Sequence, residues 1–268
     1  MDLVKAAVEK ELTIIEELYN VKILFACESG SRAWGFESSD SDYDIRYIYV
    51  RPLGQYLSTF PLEEHIDAIF HKQTLPDGAE IDLDLAGWDI SKTVKLIHKV
   101  NGSICEWSKS PVLYRNRDNF QAKLAFLATF YLNPARLAHH YRAQAQSIRY
   151  RYLEHAKNVN TKKLLYAIRC ILSSRYVVEQ ETTPPISFYE LLEVSELTPS
   201  IKEELLEILS SKKEGIETNK VSISLELMSF IRIQLEKLLS DCTLSGKDYK
   251  PKSLSSLNRF KNEAIIYS

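Results

Sequence analysis

The stretch Cys27-Glu-Ser-Gly-Ser-Arg-Ala-Trp-Gly-Phe-Glu-Ser-Ser-Asp-Ser-Asp-Tyr-Asp-Ile-Arg46 decides how this chain is read. The apolar run Val21–Cys27 predicts a strand leading into it, and Gly30–Asp42, rich in Gly, Ser and Asp, reads as a loop. Tyr43–Val50 is β-branched and aromatic and is closed off by Pro52, so a second strand follows. Gly30-Ser31 sits where the first strand ends, and glycine there lets backbone N–H groups come close to an anion. After Ser31 and ten intervening residues come Asp42 and, with one residue between them, Asp44. In a strand the side chains of i and i+2 share a face, so the two carboxylates stand side by side. Carboxylates that close repel unless a cation lies between them, and hard oxygen ligands suit Mg2+, which also takes phosphate oxygens. Asp40 reads as turn chemistry or a helix cap.

A two-metal site needs a third acid. Glu80-Ile-Asp-Leu-Asp-Leu85 alternates acid with aliphatic, the period of a strand with one wet face. Asp82 and Asp84 both belong to that polar face. Either reaches the site if this strand pairs beside Tyr43–Val50, and spacing alone does not choose between them.

Outward from this centre, residues 3–19 predict a helix with Leu3, Ala6, Ala7, Ile14, Ile15 and Leu18 on one face. His65–Phe70 is a weaker strand, and Trp88–Val100 returns to helical period. From Phe120 to Leu239 the pattern is helical, with breaks at Asn133-Pro134, Asn158–Asn160, Thr183-Pro184-Pro185 and near Gly215. The expected fold class is α+β: a mixed-sheet N-terminal domain over residues 1–117, an all-helical domain over 118–244, and a polar C-terminal tail over 245–268.

Composition bounds the function. The 268 residues are 45% apolar and 26% charged, which excludes disordered, collagenous and coiled-coil chains. With 34 Lys+Arg against 36 Asp+Glu, the net charge of −2 excludes a nucleic-acid binder built on bulk positive charge. The N-terminus carries acids throughout and is neither a signal nor a transit peptide, and no run is apolar enough to span a bilayer. Cys27, Cys105, Cys170 and Cys242 are scattered, as reduced thiols are, so a soluble cytoplasmic protein is expected. The small total hides an uneven distribution. Residues 134–178 carry nine Lys/Arg against one acid, and residues 179–218 carry ten acids against three lysines. A basic segment of that kind suits a triphosphate and a polyanionic acceptor such as RNA.

Gly-Ser followed by Asp-x-Asp resembles the nucleotidyltransferase superfamily typified by DNA polymerase β. More narrowly, Gly30–Gly35 with Ser39–Arg46 resembles the YcgL/RlaP-type nucleotidyltransferases, some of them linked to RNA repair. The likeness continues through Leu83–Lys92, Asn101–Trp107, Ser110–Tyr114 and Lys162–Arg169. It departs at Gly102, where such proteins commonly have proline. The resemblance implies a polymerase-β-like sheet with flanking helices and a helical domain across a cleft. It also selects Asp84 as third carboxylate, because in the family that acid precedes a Gly-Trp-Asp segment.

On that resemblance Gly30 and Ser31 hold the phosphates of a nucleoside triphosphate such as ATP. Asp42 and Asp44 carry two Mg2+ ions (Mn2+ as an alternative), and Asp84 holds only the ion that activates the attacking hydroxyl. Arg32, Arg46 and Lys163 are candidate charge partners, Lys163 reaching the triphosphate from the helical domain. The reaction implied is NMP transfer to an acceptor hydroxyl, with an RNA end as acceptor. Other readings keep the chemistry on a protein or small-molecule hydroxyl, or keep only nucleotide binding in a regulatory module.

Overall fold

The computed structural model describes every residue except 1, 61, 155–157, 215–219, 245–249, 251 and 268. The chain forms two compact units. One comprises residues 1–33, 42–131 and 251–268, the other residues 34–41 and 132–250. The division is therefore not a single cut near residue 117: the segment between the Gly-Ser turn and the acids belongs with the helices.

The first unit is built on helix α1 (Asp2–Tyr19), strand β1 (Lys22–Glu28), the short α2 (Gly30–Trp34), β2 (Tyr43–Val50), α3 (Leu53–Tyr56), β3 (His65–Thr74), β4 (Glu80–Asp89), α4 (Ile90–Lys99), α5 (Gly102–Trp107), β5 (Leu113–Asn116) and α6 (Phe120–Phe130). The sheet order is β3-β4-β2-β1-β5. Pairing is antiparallel except between β2 and β4, which run parallel, so the sheet is mixed. The parallel pair needs a crossover, and α3 with the β3 strand lies in that connection. β4 alternates as its sequence requires: Leu83 and Leu85 enter the core, while Asp82 and Asp84 take the other face. The core beneath gathers Val8, Leu12 and Ile15 of α1 with Ile23, Ala26, Ile45, Tyr47, Tyr49 and Tyr114 of the sheet.

Helix α1 buries Ala7, Val8, Leu12 and Ile15, whereas Leu3, Ile14 and Leu18 of the expected apolar face are exposed, Leu18 by 71%. Ion pairs set this rotation. Arg115 of β5 is buried, with Nη2 2.7 Å from Glu9 and Nη1 2.9 Å from Glu16, and Glu11 lies 3.3 Å from His71 Nε2. A buried guanidinium requires paired carboxylates, so the flank of α1 carrying Glu9 and Glu16 must face β5.

Helix starts follow local chemistry. Asp89 caps α4 by accepting from Ser91 N–H, and Asn101 caps α5 by accepting from the N–H groups of Ser103 and Ile104. Gly102 is therefore the first helical residue, a position that also tolerates proline. The stretch read as a polar tail contains a helix, Ser255–Ile266, whose buried Leu257 and Phe260 anchor it, with Phe260 5.2 Å from the Phe120 ring.

The second unit consists of α7 (Pro134–Ile148), a π-helical turn (Arg149–Leu153), α8 (Thr161–Gln180), α9 (Phe188–Glu193), α10 (Pro199–Glu214) and α11 (Leu225–Leu244), with a two-residue strand pair at Val159–Asn160 and Lys220–Val221. The expected breaks at Asn133 and Asn160 are N-caps, accepting from the N–H groups of Arg136 and Lys163. The break near Gly215 lies outside the described residues. Ser174 Oγ donates to the Ala138 carbonyl at 2.9 Å, which ties α8 to α7. Trp34 and Phe36 supply rings to this unit. Trp34 stands edge-on to Tyr166 at 4.8 Å with the Arg169 guanidinium 4.1 Å from its ring, and Phe36 lies 5.5 Å from Phe188.

Candidate active site

Gly30 opens α2 in the left-handed region, with φ +62°, and packs directly on an acid: a Cβ there would fall 2.1 Å from Asp44 Oδ2. Only glycine gives both the turn and the approach. The loop expected over Gly30–Asp42 thus begins as a five-residue helix, with Ser31 buried within it. Ser29 N–H donates to the Asp44 carbonyl at 2.8 Å, which closes the Gly-Ser turn onto β2. Arg32 Nε donates to the Asp42 carbonyl at 3.1 Å while its guanidinium stacks 3.7 Å from the Tyr43 ring. Arg32 therefore grips the backbone at the start of β2.

The parallel pairing sets Asp44 directly opposite Asp84. Arg46, one side-chain repeat along β2, bridges them: Nη2 donates to Asp44 Oδ1 at 3.0 Å and to Asp84 Oδ2 at 2.8 Å, and Nη1 donates to the Asp84 carbonyl at 2.8 Å. Burial pulls the Arg46 pKa down, but the hydrogen bond and charge of Asp84, then Asp44 and Glu28, outweigh it and hold the guanidinium above its ordinary value. Asp82 is placed differently. It sits opposite Lys72 of β3, 3.8 Å from Nζ, with its side chain 46% exposed. Register, which the sequence did not reveal, separates the two acids of β4.

Glu28 is a residue that reading the motif missed. It ends β1, is buried, and accepts the Asp44 N–H at 2.7 Å and the Tyr114 hydroxyl. Ser110 Oγ donates to its carbonyl at 2.7 Å. Burial raises the Glu28 pKa to about 7, against the opposing pull of the Tyr114 and Asp44 hydrogen bonds. The available signal was an acid closing a strand directly after the apolar run Ile23–Cys27.

The donors fit a hard divalent cation. All are carboxylate oxygens, and Asp84 Oδ1 is buried with no hydrogen-bond partner, an oxygen of the kind Mg2+ takes as ligand. Among the described residues, however, no three His, Cys, Asp or Glu side chains converge as a metal cluster. The guanidinium of Arg46 stands between Asp44 and Asp84, so loading a cation requires that this bridge yield. Lys163 belongs to the second unit, where its Nζ lies 5.2 Å from the Tyr152 ring. All four cysteines are free and buried. Among the described residues no helix is long and apolar enough to cross a membrane.

A mixed sheet carrying a glycine-backed carboxylate on one strand and a second carboxylate opposite it on a parallel neighbour defines the class: an α+β protein of polymerase-β-like architecture. The chain belongs to the RlaP family, the RNA repair pathway DNA polymerase beta family, whose model it matches over residues 4–263. That family consists of polymerase-β-like nucleotidyltransferases implicated in RNA repair. The uncharacterized protein YcgL of Bacillus subtilis (strain 168) is 33% identical over 255 residues, covering 95% of this chain and 94% of that protein. A nucleotidyltransferase-like protein from Exiguobacterium sibiricum 255-15, solved by crystallography, aligns over 97% of this chain and 90% of its own at 13% identity and a TM-score of 0.35.

Proposed function

We propose that this chain transfers NMP from a nucleoside triphosphate to the hydroxyl of an RNA end. The observation that carries the proposal is the set formed by Gly30, Asp44 and Asp84: a side-chain-free turn against one carboxylate, and a second carboxylate in register beside it. The family's link to RNA repair and the basic segment 134–178 favour RNA as acceptor.

In this reading Gly30 and Ser31 hold the β- and γ-phosphates, and Arg32 keeps the adjoining backbone in place. Asp42, Asp44 and Asp84 are the residues that would hold Mg2+, or Mn2+ in its place. The bound ions supply charge neutralisation and a lowered hydroxyl pKa. The acceptor oxygen attacks the α-phosphorus in line, the bond from that phosphorus to the β-phosphate oxygen breaks, and pyrophosphate leaves. Asp84 takes the hydroxyl proton. Glu28 orients Asp44 through its backbone N–H, and Arg46 holds the two carboxylates until substrate binds.

The test is to incubate the protein with each α-labelled nucleoside triphosphate and Mg2+, with and without total RNA. Label in RNA, lost in the doubly substituted Asp42→Ala, Asp44→Ala protein, is the expected result. Label in protein instead moves the acceptor to a protein hydroxyl, and nucleotide binding without transfer overturns the enzymatic reading.

A further inference from the structure

The first unit contains a cavity of about 660 Å3 between α3, α4 and the C-terminal helix, and the chemistry described above does not use it. Four lysines line it, Lys92, Lys95 and Lys99 from α4 and Lys261 from the C-terminal helix. The three on α4 recur at i, i+3 and i+7, so they form a row on one helix face about 10 Å long. Among the described residues two carboxylates, Glu64 and Asp89, reach the cavity, and both are engaged. Glu64 pairs with Lys95 Nζ at 2.5 Å, and buried Asp89 accepts from Tyr56 Oη at 2.7 Å and from Ser91 N–H. Among the described residues Lys92, Lys99 and Lys261 form no ion pair with a carboxylate. Aromatic faces accompany them: Lys261 Nζ lies 5.5 Å from the Tyr56 ring, and Phe60 stands 79% exposed at the rim.

We infer that this groove binds a single-stranded segment of the RNA acceptor. A lone phosphate is held by charges that converge on it. A row of ammonium groups suits successive phosphodiesters, and an exposed ring beside the row suits an unstacked base. Lysine, a point charge without fork geometry, positions a backbone without reading sequence. The groove is not the transfer site. Asp89 at its floor lies five residues along β4 from Asp84, about 16 Å. This inference rests on RNA being the acceptor, and it adds where the strand is held.

The test is fluorescence anisotropy of a labelled single-stranded oligoribonucleotide with the full chain, across a range of salt. Substituting Lys92→Glu, Lys99→Glu and Lys261→Glu together is expected to weaken binding at least tenfold. It should also lower the slope of log affinity against log salt by roughly two, at about 0.7 per phosphate contact. Phe60→Ala is expected to weaken binding roughly tenfold while leaving that slope unchanged. Circular dichroism and ATP binding should be unaffected in both. If label reaches RNA in the transfer assay and the triple substitution binds RNA as tightly as wild type, the groove assignment alone is overturned. Should the triple substitution lose ATP rather than RNA, the groove serves nucleotide and the inference fails. If wild type neither labels nor binds RNA, the acceptor reading fails and takes the groove with it.

Discussion

Gly30 and Asp44 are packed so closely that the hydrogen on the glycine Cα occupies the place where any side chain would meet the carboxylate, 2.1 Å from Oδ2. Gly30→Ala therefore meets two obstacles, the left-handed backbone and the acid. The substitution is expected to cost about 1–2 kcal/mol of stability. Because it also displaces Asp44, transfer should fall on the order of a hundredfold. Denaturant unfolding and the label assay read the two effects separately. Normal activity in a folded Gly30→Ala protein would show that Asp44 need not sit where it does.

Arg46 joins Asp44 to Asp84, and all three side chains are mostly buried. Arg46→Met leaves two carboxylates facing each other across adjacent strands. Breaking such a group by removing one partner is expected to cost about 3 kcal/mol in metal-free buffer. Added Mg2+ should then raise the melting temperature more in this variant than in wild type, because the carboxylates are no longer shared with the guanidinium. Arg46→Lys keeps the charge but not the fork, and should fall between the two. Thermal melts with and without Mg2+ decide it. An equal Mg2+ response in all three proteins would remove these acids from metal binding.

Glu28 accepts from Asp44 N–H and from the Tyr114 hydroxyl. Glu28→Gln retains the shape and one acceptor, so the fold should persist while kcat drops roughly tenfold through loss of alignment and KM for the triphosphate holds. Tyr114→Phe removes only one hydrogen bond to Glu28 and should cost about 1 kcal/mol. A rise in KM with unchanged kcat in Glu28→Gln would make Glu28 a nucleotide-binding residue instead.

Gly87 of β4 lies opposite Tyr47 of β2, and a Cβ on it would fall 2.1 Å from the tyrosine ring. The ring is fully buried and cannot swing aside. Gly87→Ala should lower stability by about 1–3 kcal/mol as overpacking does. Adding Tyr47→Leu should recover part of the loss. Additive costs in the double substitution would show that the two residues do not compete for the same space.

Strands β1, β2 and β4 were legible because each carries its own period or apolar run. Asp44 falls on β2 as the pattern predicts, whereas Asp42 precedes that strand, so the shared strand face expected for the pair is not what holds Asp42. What required long-range pairing was not legible. Spacing alone did not part Asp84 from Asp82; the family resemblance selected Asp84, and the register that sets it opposite Asp44, with Asp82 opposite Lys72, lies beyond any one strand's pattern. The face α1 buries is chosen by Arg115, nearly a hundred residues away, and not by the helix's own hydrophobic pattern, which offers two stripes. Trp34 and Phe36 look like part of the Gly-Ser loop, yet their rings pack among the helices of the second unit. The C-terminal helix escaped because only Leu257 and Phe260 mark its buried side.

On the proposed function Asp84, in register with Asp44, works in nucleotidyl transfer, while Asp82, two residues away on the same strand, does not. This division of roles is tested most directly by measuring transfer of label from α-labelled triphosphate to RNA in Asp84→Asn and Asp82→Asn side by side. Asp84→Asn is expected to lose transfer and Asp82→Asn to keep it, with both proteins folded. Transfer retained in Asp84→Asn, or lost in Asp82→Asn alone, would contradict that division.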